Sequence, residues 1–170
     1  MWRSIALAGD GMYSRVYPTL SVHLAASCPN GVLDASNDEA QIRTWWAAKP
    51  DANVAIACDP SGLSVVDCNH GSATEAEALA WMKRAGLPKT YTVHTGRRLN
   101  PKDGTPESGV QLYYRDTMPS VGEFAPGEGT GQVKSLASSV MAAGSIHPDS
   151  GEAYELMRNA HNCSEGEAWE

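Results

Sequence analysis

Leu63–Ser64–Val65–Val66–Asp67–Cys68–Asn69–His70–Gly71 constrains this chain more than any other stretch. Small and apolar residues with adjacent β-branched valines mark a short buried strand. The turn Asp59–Pro60–Ser61–Gly62 starts it, and Gly71 releases it. Side chains alternate along a strand, so Asp67 and Asn69 share a face. Two carboxylates at that spacing on a strand end commonly hold divalent cations. Here the second member is an amide, which offers oxygen but no charge. Asp67 can equally cap the turn that follows, and Asn69 can be a plain turn residue.

The chain has 170 residues, enough for one domain with a real core. Its formal charge of −7 argues against tight nonspecific DNA binding by the whole surface, though not against a local basic groove. No run of roughly 18 apolar residues is present, which excludes a transmembrane helix. The start, Met1–Trp2–Arg3–Ser4, lacks an apolar signal region, so a cytoplasmic location is expected. Cys28, Cys58, Cys68 and Cys163 show no CxxC spacing. They read as free thiols of a cytosolic protein rather than a disulfide framework or a zinc site.

Residues 1–34 are broken by Gly9, Gly11, Pro18, Pro29 and Gly31. Ile5–Ala8 reads as a short helix, and Arg15–Tyr17 and Leu20–Leu24 as strands. Ser36 and Glu39 form a capping box for a helix that buries Ile42, Trp45 and Trp46 and ends at Pro50. Asn53–Ala57 reads as a strand. Ser72 and Glu75 form a second capping box. That helix carries Leu79 and Met82 inward and stops at Gly86, with Pro88 beyond. Thr90–His94, Val110–Tyr114, Gln132–Lys134, Ser138–Ala143 and Ala153–Met157 read as strands. Thr95–Ser108 reads as a polar loop and Gly122–Gly131 as a glycine-rich loop. The order of elements implies a mixed α/β (α+β) domain with one sheet and a few helices over residues 1–160, followed by a polar tail, 161–170.

Several of these segments, taken in order, resemble one family. They are Asp34–Ala35 with Gln41–Ile42–Arg43–Thr44–Trp45–Trp46, and Pro50–Asp51–Ala52–Asn53–Val54–Ala55–Ile56–Ala57. The central strand, Val93–His94–Thr95–Gly96–Arg97–Arg98, Gly109–Val110–Gln111–Leu112–Tyr113–Tyr114 and Ala142–Ala143–Gly144–Ser145–Ile146–His147–Pro148 complete the set. Together they resemble the bifunctional DNA primase/polymerase N-terminal domain of the archaeo-eukaryotic primase superfamily, over about residues 31–157. The resemblance implies the primase catalytic core, an α/β module around an RRM-like sheet. It also implies template-dependent nucleotidyl transfer, in which two divalent cations activate the primer hydroxyl and neutralise the leaving pyrophosphate.

In the family pattern an Asp-x-Asp/Glu pair, a His on a neighbouring strand and a third acid on a later strand form the site. Asp67 matches the first acid. The second falls on Asn69, the His on Gln111 and the third acid on Gln132. Asp67, Asn69 and Gln132 are thus the implied catalytic and metal positions. Gln111, Lys134, Ser145, His147 and Arg97 are the implied nucleotide-binding positions. Two carboxylates are missing from within about 4 Å of the ions, each worth roughly 4 kcal/mol of attraction at an effective dielectric near 20. Magnesium or manganese should then bind weakly without nucleotide, and activity should be weak or lost. The implied partners are nucleoside triphosphates, a single-stranded DNA template and a helicase domain or other replication partner, with no membrane. The alternative is a catalytically inactive primase-fold module that binds nucleotide or nucleic acid.

Overall fold

The computed structural model describes residues 16–19, 28–69, 75–96, 98–99, 104, 106–115, 119–124 and 130–157. In chain order the elements are β1 (Val16–Thr19), α1 (Glu39–Ala48), β2 (Asn53–Ala57), β3 (Leu63–Asn69), α2 (Glu75–Arg84), β4 (Tyr91–His94), β5 (Arg98–Leu99) and β6 (Pro106–Glu107). They continue with β7 (Val110–Arg115), β8 (Val121–Phe124), β9 (Thr130–Lys134), β10 (Ser139–Met141) and β11 (Glu155–Leu156). Short 3-10 turns at Gly31–Asp34 and Asp59–Ser61 join them. The class is α+β, as expected. The strands divide between two main sheets rather than one, of order β1-β2-β10 and β11-β4-β7-β3-β9-β8, with β5 and β6 forming a small hairpin. Every pairing is antiparallel.

Both faces of the six-stranded sheet are covered. On one face Leu63, Val65, Val93 and Tyr113 meet Ala55, Ala57, Val140 and Met141 of the smaller sheet. On the other, Val66, Cys68, Val110, Leu112, Tyr114 and Val133 meet Trp81 and Met82 of α2 and Leu87 beyond it. This two-sided burial is why β3 and β7 are nearly continuously apolar instead of alternating with solvent. Each fully buried valine or leucine contributes about 1.5–3 kcal/mol of transfer free energy.

The first helix starts later than the capping box predicts. Asp38 is its N-cap, and the carboxylate accepts from the Gln41 backbone N–H at 2.8 Å. Ser36 instead accepts from the Asp38 N–H at 3.0 Å and turns the chain into the cap. Ile42, Trp45 and Trp46 are only half-buried. Their helix lies against β1, an edge strand, so one flank of its apolar stripe stays open to solvent. Trp46 Nε1 still donates to the Ala52 carbonyl at 3.0 Å. Pro18 is tolerated in β1 because an edge strand does not need every N–H.

Val121–Phe124, which overlaps the start of the Gly122–Gly131 stretch read from sequence as a glycine-rich loop, is an edge strand with a register irregularity against β9. Glycine in such a strand commonly marks a bulge. The N-terminal helix and the strand at Leu20–Leu24, the Ser72 cap, the Leu79 side chain, Cys163 and the C-terminal tail lie outside the described residues. No helix among the described residues is long and apolar enough to cross a membrane.

Three measurements check this packing. Met82 is fully buried, so Met82→Ala should cost about 2–5 kcal/mol in chemical denaturation. Cys28, Cys58 and Cys68 are free and buried. Burial, reinforced by the Asp67 carboxylate, pushes the Cys58 and Cys68 thiols up to about 12 from 9.0. Both should ignore thiol reagents near pH 8 in the folded protein and react on unfolding. Between about pH 9 and 12 the unfolded thiols have ionised while the folded ones keep their protons. Stability should therefore fall as pH rises through that window, by up to about 1.4 kcal/mol per pH unit for Cys58.

Candidate active site

Strand register builds the site. In β3, Asp67 stands directly opposite Gln111 of β7 and, on its other side, opposite Gln132 of β9. Residues opposite each other on neighbouring strands project to the same face. Gln111, Asp67 and Gln132 therefore form one row across three strands, on the face that looks toward the smaller sheet. Lys134, opposite Val65, stands two residues along β9 on the same face.

A close backbone approach holds β7 in this position. A Cβ on Gly109 would lie 2.4 Å from the Cys68 carbonyl oxygen, so only glycine lets β7 begin there. Thr95 reinforces the junction. Its N–H donates to the Gly109 carbonyl at 2.9 Å, and its hydroxyl accepts from the Gly109 N–H at 2.7 Å.

The row opens into a cleft of about 490 Å³. Asp67, Gln111, Gln132 and Lys134 line one wall. Ser138 to Met141, which lead into and form β10, line the opposite wall together with the turn His147–Pro148–Asp149. The cleft is thus a gap between two sheets, a common position for ligand sites that need fixed walls.

Each wall is fixed by specific bonds. Gln111 is 4% exposed. The Tyr113 hydroxyl lies 3.0 Å from its side-chain amide and 3.2 Å from the Met141 carbonyl, so one phenol proton serves the contact between the two walls. Burial keeps the Tyr113 phenol protonated well above the ordinary tyrosine range. His147 is buried, stacks on Tyr154 with ring centroids 5.8 Å apart and planes at 19°, and accepts at Nδ1 from the Asp149 N–H at 3.2 Å. In the neutral ring that bond assigns the proton to Nε2.

Ser145 is placed differently from its implied nucleotide-binding role. It is buried, accepts from the Val54 N–H at 3.1 Å and donates to the Val54 carbonyl at 3.2 Å. Asn53 pairs with both backbone groups of Ile146 at 2.8 Å. Ser145 thus ties the His147 turn to β2 instead of lining the cleft. Asn69 continues β3 opposite Thr130, with its side chain outside the described residues, and Arg97 lies outside them altogether.

Sequence reading did not single out Asp149, Thr95 or Tyr154 as site residues. The available signal for Asp149 was a carboxylate two residues after His147 in a turn. Thr95 and Tyr154 carried none, because only the sheet packing brings them to the cleft.

Electrostatically the cleft is mixed. Asp67 raises and Lys134 lowers the ionisation range of the Cys58 thiol, so both charges act on the same buried point. Among the described residues no three of His, Cys, Asp and Glu gather where they could hold a metal ion, Asp67, His147 and Asp149 included. The described donor set therefore does not fit a pair of divalent ions. Asp67 is the one carboxylate of the row, and Gln132 stands opposite it on β9.

A search of the curated proteins finds no significant match. The family model for bifunctional DNA primase/polymerase, N-terminal, matches residues 12–169. That match spans both sheets, α1, α2 and every residue of the cleft. Members of this family generally depend on divalent metal and act on nucleotide and DNA template. With its two antiparallel sheets and the cleft between them, this chain belongs to the bifunctional DNA primase/polymerase N-terminal family.

Proposed function

We propose that this domain binds a nucleoside triphosphate in the cleft between the two sheets, against a single-stranded DNA template, and transfers nucleotides only weakly. The row Gln111–Asp67–Gln132 carries this reading. It puts neutral amides on both sides of one carboxylate, where template-directed transfer draws on several acids. The cleft volume suits a ligand of nucleotide size. Lys134 supplies a positive charge for phosphate oxygens, and His147 supplies an N–H at Nε2. Magnesium or manganese, when bound, would sit at Asp67 and screen the phosphates. The chain's own contribution is to bind, orient and shield the nucleotide between fixed walls.

The depleted row also favours a second reading, a nucleotide- or nucleic-acid-binding module without transfer activity. In either case a helicase domain or another replication partner would complete the work. The free, buried thiols suit a reducing, cytoplasmic compartment.

Primer extension separates the two readings. The unaltered chain and the double variant Asn69→Asp/Gln132→Glu are compared with magnesium and with manganese. Each restored charge brings roughly 4 kcal/mol of attraction before desolvation, and about 1.4 kcal/mol of surplus is enough for tenfold in rate. Slow extension by the unaltered chain, rising at least about tenfold in the variant, supports a depleted polymerase. Two folded proteins that extend nothing support the binding module.

A further inference from the structure

The two walls of the cleft are joined by one short corner. The chain leaves the six-stranded sheet at Lys134 of β9 and enters the smaller sheet at Ser139 of β10, so the crossing is made by Ser135 to Ser138 alone. Gln132 and Lys134 of one wall stand just before the corner, and Ser138 to Met141 of the other stand in it and after it. The corner therefore fixes how far apart the walls lie at this end.

Ala137 takes a φ of 50° there, and among the described residues it is the one non-glycine with a positive value. The Ser138 N–H donates to the Ser135 carbonyl at 3.3 Å. Ala137 is thus the third residue of a tight turn, where a left-handed backbone normally takes glycine or asparagine. Alanine disfavours that conformation by roughly 5- to 30-fold. It persists only where the surroundings over-determine it, and such places cluster at functional sites. Ala137 itself lines the cleft.

The restraint reaches the corner from outside. Ser120 immediately precedes β8, is exposed, and is not one of the described residues that line the cleft. Its hydroxyl accepts from the Ser135 N–H at 3.3 Å and donates to the Leu136 carbonyl at 3.2 Å. A hydroxyl has the one proton and the lone pair that these two bonds require. Ser138 Oγ donates to the same carbonyl at 3.1 Å. That carbonyl belongs to the Leu136–Ala137 peptide, the plane that must turn over for φ of Ala137 to change sign.

We propose that Ser120 is a positioning residue that pins the Leu136–Ala137 peptide, and that the pinned corner holds the two walls at the spacing that fits nucleotide. This rests on the nucleotide reading above and adds a group that sets the fit from outside the cleft.

Nucleoside triphosphate binding, titrated calorimetrically with magnesium present and at a temperature where every variant is folded, tests it. A loss of stability alone then moves none of the values. Ser120→Ala should bind about five- to tenfold more weakly, because the peptide is released. Ser120→Thr keeps the hydroxyl and should bind like the unaltered chain. Glycine takes positive φ about as readily as negative, so adding Ala137→Gly to Ser120→Ala should restore binding to within about twofold of the unaltered chain. A Ser120→Ala protein that binds like the unaltered chain, or a glycine that restores nothing, overturns the proposal. NMR gives a readout independent of nucleotide. The Cα and Cβ shifts of residue 137 should leave the left-handed range in Ser120→Ala, and unchanged shifts would contradict the pin. If the unaltered chain takes up no nucleotide, the functional reading falls, while these shifts still decide whether Ser120 holds the corner.

Discussion

The cleft depends on the antiparallel register of β3 with its two neighbours. Asp67 pairs with Gln111 on one side and Gln132 on the other, and those pairings decide what the site can do. A slip of one residue in either pairing would turn a whole set of side chains to the α2 face. Several features prevent the slip. Val65 and Tyr113 must face the smaller sheet, while Val66, Leu112 and Val133 must face α2. Gly109 lets β7 approach the Cys68 carbonyl where a larger residue would clash. The packing that stabilises the fold is therefore the same packing that aligns the row.

Much of this was legible in the chain. β-branched and apolar runs gave the strands at Asn53–Ala57, Leu63–Asn69 and Val110–Tyr114, because burial leaves a strong signal in composition. The row itself was not readable from local pattern. Residues 67, 111 and 132 meet only through pairings between distant segments; Asp67 stood out at its strand end, and the family resemblance singled out Gln111 and Gln132. Local pattern also missed the division into two sheets, since nothing in a strand's own sequence names its partner. The α1 cap was misplaced by two residues because Ser36 and Asp38 are both good caps, and the hydrogen bonds decide between them. Ser145 shows the opposite difficulty. A hydroxyl beside a site residue reads as a ligand contact, yet both of its bonds go to the Val54 backbone.

Membership of the family settles the fold and leaves the strength of the chemistry to the side chains. Asn and Gln are close in shape to Asp and Glu, so amides can occupy the row without changing its packing. The cleft that results has walls tied to their neighbours by specific bonds. Its walls are joined by the Tyr113 hydroxyl between β7 and β10, and the His147 turn is tied to β2 through Ser145 and Asn53. On the reading proposed above, such a site would hold a polyanionic ligand in one orientation and bind cations weakly by itself.

That contrast gives the most direct measurement. Magnesium binding is titrated calorimetrically in the absence of nucleotide and again with a nucleoside triphosphate present. With Asp67 as the one carboxylate of the row, the ion should bind weakly alone and much more tightly with nucleotide, and each ligand should strengthen the other by the same factor. Tight magnesium binding by the unaltered chain without nucleotide would contradict the account, because the ligands for that ion would then lie outside the row around Asp67.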